Sequence, residues 1–227
     1  ARLLELGFPA EVLSDLAQSD LRACAGALRV ETEVRSFAMT NGWNDETPKP
    51  LTITGVAVEV PGERESWRVF HHFAWDSGTK FYGSEAFELW TLYDHMSQGW
   101  SELAGPTGRV LCDREGTACW APYYSLETET YTTNSLFFGT QTSSDPLASF
   151  SFPRNGEDCR GYVTYAAETV GEWILDSWIN YVHQRSRCPY PAVTALEWQK
   201  AGTWNKDGQP FFRVQDAIQF YPFEWPE

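Results

Sequence analysis

Leu51-Thr-Ile-Thr-Gly-Val-Ala-Val-Glu-Val60 is the stretch that decides the fold. β-Branched residues at Thr52, Ile53, Thr54, Val56, Val58 and Val60 suit a pleated, half-buried surface far better than a helix. Pro61-Gly62 then closes the segment with a turn. Beyond the turn, Ser66–Trp75 is a second strand, rich in aromatics. On the other side, Val30–Met39 alternates β-branched with charged residues.

The same grammar runs along the rest of the chain. Arg109–Cys112 and Thr117–Tyr124 form a candidate hairpin, followed by a Glu/Thr alternation over Glu127–Tyr131. Leu136–Thr142 and Leu147–Phe152 read as strands joined by a Ser-Ser-Asp-Pro turn, and Tyr162–Ala167 as another. Asp207-Gly208, between Val193–Trp204 and Phe211–Phe220, is the best two-residue hairpin signal in the chain. Two segments also fit a helical face: Ala86, Leu89, Trp90, Tyr93 and Met96, and Ile174, Leu175, Trp178, Ile179 and Val182. Their aromatic and β-branched content favours strands. Before all this, residues 8–27 read as helical, with Pro9 in a first turn and Ser19 capping a second helix over Asp20–Ala27.

The expected architecture is therefore mostly β: an antiparallel two-sheet β-sandwich over residues 29–227, preceded by a helical segment over 1–28. The alternative is α+β, should 86–98 and 170–184 be helices. A faint repeat sets Gly55-Val-Ala-Val, Ser66-Trp67 and Leu89-Trp90 against Gly161-Tyr-Val-Thr, Ser177-Trp178 and Glu197-Trp198. It divides the sandwich into similar halves at about 50–131 and 158–222, although chance explains the repeat equally well.

The chain has 227 residues and a formal net charge of −14, from 17 Lys+Arg and 31 Asp+Glu. A chain this long buries about 70–75% of its unfolded surface, so it needs no metal or disulfide to be stable. The acid excess opposes binding to a phosphate backbone and to anionic lipid. No 18-residue apolar run is available to span a membrane. The chain starts at Ala1 with no initiator Met and no charged region leading into an apolar stretch. The expectation is a mature or trimmed chain from which any signal or anchor has been removed.

Motifs for catalysis are sparse. Ser77-Gly-Thr-Lys80 matches Ser-x-x-Lys but sits in a Gly-containing turn without its partner motifs. No nucleophile elbow, P-loop, dinucleotide fingerprint or His-Glu-x-x-His is present. Of His71, His72, His95 and His183, the adjacent pair must point to opposite faces of a strand, so packed or surface histidines are expected and no metal site. Asn41–Glu46 has oxygen ligands but lacks calcium-loop spacing. Glu85, Glu88, Asp94, Glu127, Glu129, Asp176 and Glu197 could supply a glycosidase-type carboxylate pair, but among 31 acids some pair is always available. Five Cys occur without a Cys-x-x-Cys, and Cys112 and Cys119 could bridge a hairpin turning at Glu115-Gly116. Cys159–Cys188 is a weaker candidate pair. No cofactor is implied.

Eleven Trp residues are the best functional lead, because flat aromatics stack on sugars and anchor protein partners. Trp67, Trp75, Trp90, Trp178 and Trp198 lie within strands and read as core. Trp43, Trp100, Trp204 and Trp225 flank turns or termini and are the candidate ligand-binding residues.

Phe8-Pro-Ala-Glu-Val-Leu-Ser-Asp-Leu-Ala-Gln-Ser-Asp-Leu21 and Ser177-Trp-Ile-Asn-Tyr-Val-His-Gln-Arg-Ser186 resemble segments of uncharacterised membrane-anchored proteins of Gram-positive gut bacteria. In those proteins the first segment follows the anchor and precedes an extracytoplasmic β domain. The resemblance implies an extracytoplasmic or cell-surface location and no catalytic residues. The function expected is a non-catalytic binding or sensing domain for an unknown protein or glycan. The alternative is a carbohydrate-active β-sandwich, either a glycan-binding module or a glycoside hydrolase. The balance is against an enzyme, and no nucleic-acid partner or direct membrane insertion is expected.

Overall fold

A computed structural model describes residues 1–39, 49–62, 66–76, 78–93, 100–111, 118–120, 134–137, 140–142, 148–156, 159–169, 175–188 and 211–220. The turns and hairpins expected at 112–117 and 207–208 and the strand expected at 127–131 lie outside these residues, as does 193–204.

Three short helices come first: α1 (Arg2–Glu5), α2 (Ala10–Asp15) and α3 (Gln18–Ala23). Pro9 is the extended residue that caps α2 rather than its first turn, with φ −62° and ψ 129°. The cap of α3 is Ala17, not Ser19, and no side chain caps that helix. Its first turn is tied down instead by tertiary contact, because the Ala17 N–H donates to the Tyr162 hydroxyl at 2.9 Å.

Among the described residues, twelve strands follow. One sheet runs β1 (Arg29–Met39), β2 (Lys49–Val60), β3 (Ser66–Trp75), β10 (Arg160–Thr169), β5 (Trp100–Leu111) and β6 (Ala118–Trp120). The other runs β12 (Phe211–Phe220), β11 (Leu175–Gln184), β4 (Phe81–Tyr93), β7 (Asn134–Phe137) and β8 (Thr140–Thr142), with β9 (Ala148–Gly156) also on β4. Among the described residues all pairings are antiparallel except the short β4–β7 contact. The mostly-β sandwich is thus the observed fold, and both ambiguous segments are strands, β4 and β11. Leu136–Thr142, expected as one strand, is a tight hairpin in which Phe137 faces Thr140. In the proposed halves, β2 and β3 are neighbours in one sheet, whereas β10 and β11 belong to different sheets.

The alternation along β2 and β3 positions everything else. Leu51, Ile53 and Ala57 of β2 and Trp67, Val69, Phe73 and Trp75 of β3 point between the sheets, where they meet Ile179, Tyr181, Val214 and Ile218. The alternate residues Val56, Val58 and Phe70 point outward and are covered by Phe8, Val12, Leu16 and Cys24 of the helical segment. The first sheet is therefore buried on both faces across β2 and β3, which is why β3 reads as an almost continuously buried strand. Gly55 belongs to the inward set, and a Cβ there would lie 2.7 Å from Ile218 Cβ, so a side chain would push the sheets apart.

Candidate functional site

Among the described residues, three buried polar clusters hold chemistry-capable side chains. The first follows from β3. His71 points between the sheets and His72 outward, the opposite-face arrangement expected of neighbours on a strand. His71 Nε2 lies 2.8 Å from Ser177 Oγ, and the Tyr165 hydroxyl donates to the same oxygen at 2.7 Å. With its oxygen accepting from Tyr165, Ser177 has its own proton to give to Nε2 of a neutral imidazole. Burial pushes the His71 pKa down to about 3. A Ser–His pair acts as nucleophile and base only if the imidazole can take the proton and a substrate can reach the oxygen. Here Ser177 is 0% and His71 1% exposed, and the imidazole is a poor base.

The second cluster links the two sheets. Glu85 of β4 stands directly opposite His183 of β11 in the strand register. Its carboxylate is 3.0 Å from His183 Nδ1 and accepts 2.6 Å from the Tyr181 hydroxyl and 3.3 Å from the Gln184 backbone N–H. Tyr181 in turn accepts from Trp75 Nε1 at 3.0 Å. Burial first, then the Glu85 charge, holds the Tyr181 phenol well above its usual pKa, so it remains a donor. The Trp75 ring lies against the His183 ring at 4.6 Å and seals the group. Glu85 and His183 are both 0% exposed. Of the acids with glycosidase potential, Glu85 is the one whose side chain is described, and the partners described for it are His183, Tyr181 and the Gln184 backbone rather than a second carboxylate. Glu88 and Asp176 lie on β4 and β11 opposite Asn180 and Leu92. The side chains of Glu88 and Asp176, together with Asp94, Glu127, Glu129 and Glu197, lie outside the described set.

The third cluster fastens the helical segment to the outer face of the first sheet. Asp15 accepts from Arg160 Nε at 3.0 Å and pairs with His72 Nε2 at 2.9 Å. Burial alone would raise the Asp15 carboxyl, but His72 and then Arg160 outweigh it and hold its pKa below the usual value. Asp20 accepts from Arg68 at 2.8 Å and from the Tyr162 hydroxyl at 2.6 Å. Sequence reasoning did not single out these two aspartates. The available signal was the helical spacing that puts Asp15 on the apolar face of Val12.

Among the described residues, no group of three or more His, Cys, Asp or Glu is arranged to hold a metal ion. Cys24, Cys159 and Cys188 are thiols rather than disulfides, so Cys159 and Cys188 are not bridged. Burial, the largest influence, pushes the Cys24 thiol up to about 12. Cys112 lies outside the described residues, and Cys119 is described only as backbone in β6. There the register has Leu111 opposite Ala118 and Val110 opposite Trp120, with an irregularity between them.

Trp67 and Trp75 are core residues, as expected. The backbones of Trp90 and Trp178 face each other across β4 and β11. Of the candidate binding residues, Trp100 opens β5 opposite Thr169, its side chain undescribed, and Trp43, Trp204 and Trp225 lie outside the described residues. Among the described residues no helix is long and apolar enough to cross a membrane.

Fold and clusters together define a two-sheet β domain whose described polar side chains knit its layers together. No family model matches the chain, and no curated protein does. Among solved structures it is similar to the KRT10-binding region domain of the pneumococcal serine rich repeat protein PsrP, at 11% identity over 68% of this chain and 87% of that one, with a TM-score of 0.38. It is also similar to the C-terminal domain of the Streptococcus agalactiae AgI/II polypeptide BspA, at 6% identity over 69% of this chain and 77% of that one, with a TM-score of 0.26. Neither likeness assigns a role to a residue of this chain.

Proposed function

We propose that this chain is a non-catalytic binding domain that works outside the cytoplasm. The observation that carries the reading is the sealing of Ser177–His71 and Glu85–His183 between the sheets. These pairs have the composition of nucleophile–base and acid–base machinery, but Ser177, His71, Glu85 and His183 are all buried away from solvent. The extracytoplasmic location rests on the sequence resemblance of Phe8–Leu21 and Ser177–Ser186. Recognition falls to Trp43, Trp100, Trp204 and Trp225, which flank turns or termini in the sequence, where binding residues on a β scaffold are usually found. Two or more large aromatics exposed together would need a functional reason.

Acrylamide quenching of Trp fluorescence, compared between the wild type and Trp→Phe variants at these four positions, tests the reading. The expected result is that at least two of the four substitutions remove a strongly quenched component. Four rings as protected as Trp67 would remove the recognition surface. Release of reducing ends from soluble polysaccharides would instead favour a glycoside hydrolase.

A further inference from the structure

We infer that β1 is an interface at which a second copy of this chain docks edge to edge, through an antiparallel β1–β1 pairing centred on Val34. β1 ends the first sheet: its hydrogen-bonded neighbour is β2, and among the described residues no strand lies on its other side. It is eleven residues long, and Thr32, Val34, Arg35, Ser36 and Ala38 are exposed. Val34 is 56% exposed, the highest value among the exposed large hydrophobics of the described residues. A long exposed edge is a template for another strand.

The residues of β1 choose the occupant and the register. In a two-fold pairing that continues the sheet, each face of one copy continues the same face of the other, so facing residues have the same parity. Val34 is the midpoint of Arg29–Met39, so an axis through it pairs the whole strand with its copy. That register sets Val34 against Val34 and Thr32 against Ser36. It also sets Glu33 against Arg35 of the other copy, twice by symmetry. Neighbouring registers lose this match. An axis through Glu33 sets Glu31 against Arg35 twice but opposes two glutamates at its centre, one through Arg35 opposes two arginines, and one through Thr32 sets Glu31 against Glu33. Within one chain the Arg35 guanidinium already pairs with Glu33 along the strand. Pairing across the axis exchanges two same-strand contacts, one in each copy, for two cross-strand ones, the arrangement that stabilises facing strands. The opposing design principle is that charges on the core-facing side of an edge discourage pairing. Glu31 and Glu33 share the side of Phe37, which packs on the inter-sheet core. The two explanations differ in what happens when the charges are exchanged.

Sedimentation equilibrium of the intact chain at high micromolar concentration is expected to give twice the 25.8 kDa of one copy. E33R and R35E each turn the two opposite-charge pairs into like-charge pairs, and each is expected to dimerise at least about tenfold more weakly. An equimolar mixture of the two variants restores both opposite-charge pairs across the axis, and dimer is expected to return. Neither variant has the same-strand ion pair, so recovery on mixing reports contact between copies rather than restored folding, and circular dichroism confirms that each is folded. A monomeric wild type overturns the inference and makes the charges edge protection. Single variants that dimerise like the wild type, or a mixture no more associated than its components, overturn it as well.

Discussion

His71 is neutral because it is dry, and that has a consequence for stability. Its folded pKa of about 3 lies below the ordinary 6.5, so over this interval the unfolded chain binds a proton that the folded chain refuses. Its contribution is intact above about 6.5 and is lost as pH falls toward about 3, at up to about 1.4 kcal/mol per pH unit. Asp15 acts in the same direction lower down. Its folded value lies below 3.8, so its contribution is present above 3.8 and disappears as pH drops through the folded value. Urea midpoints of the wild type are therefore expected to fall steadily through the mildly acidic range, and those of His71→Gln to fall less over the same range. Equal slopes would show that His71 is not the group that titrates. Tyr181 makes a second case. Its hydroxyl donates to Glu85 and accepts from Trp75, both within the core. Tyr181→Phe removes both bonds and leaves Glu85 short of a donor, so denaturation should show a loss of about 1–3 kcal/mol. A near-neutral result would mean that His183 and the Gln184 N–H satisfy Glu85 alone.

At the scale of elements, the helical segment depends on tertiary contact. Helices of four to six residues are too short to hold themselves in water. They are held by Phe8, Val12 and Leu16 on the sheet and by the two aspartates, with Phe8 set edge-on to Phe70 at 5.8 Å. Asp15→Ala takes the carboxylate from buried His72 and one partner from Arg160, and Asp20→Ala takes the carboxylate from Arg68, each at the cost of breaking a buried pair, about 3–5 kcal/mol. Hydrogen exchange should speed up across α2 and α3 in both variants while β2 and β3 remain protected. Uniform acceleration would mean that segment and sandwich unfold as one unit. The elements also show what could be read from the sequence. β2 and β3 were legible because β-branched and aromatic residues and the Pro61-Gly62 stop agree at every level. β4 and β11 were harder, because aromatic residues at mixed spacing fit two periods, and pairing between the two strands decides in favour of β. The caps of α2 and α3 were misread because short helices on a sheet take their ends from packing. Partnerships stayed hidden: Glu85 and His183 are 98 positions apart, and only the β4–β11 register brings them together. The placement of β10 between β3 and β5 is hidden for the same reason, since local patterns carry no information on strand order.

For the whole molecule, the balance of −14 matters less than where the cations sit. A phosphate backbone is bound by Lys and Arg side chains that line up and are free to displace counterions. Here four of the described arginines are drawn into local pairs with acids, while Arg2, Arg22 and Arg187 are exposed and lie far apart in the sequence. Arg68 pairs with Asp20, Arg160 with Asp15, Arg29 with Glu59 and Arg35 with Glu33. Arg68 and Arg160 are also held against the sheet by the helical segment, so moving them toward a ligand would strip buried aspartates of their partners. The surface field that remains is acidic and repels polyanions at a distance, an effect that is strongest when salt is low. A gel-shift assay in low salt, with both duplex and single-stranded probes, is therefore the most demanding test for the absence of nucleic-acid binding. No retardation is expected up to high micromolar protein. A retarded band at micromolar protein, weakening as salt is added, would mean that Lys and Arg outside the described residues form a stripe strong enough to overcome the net charge.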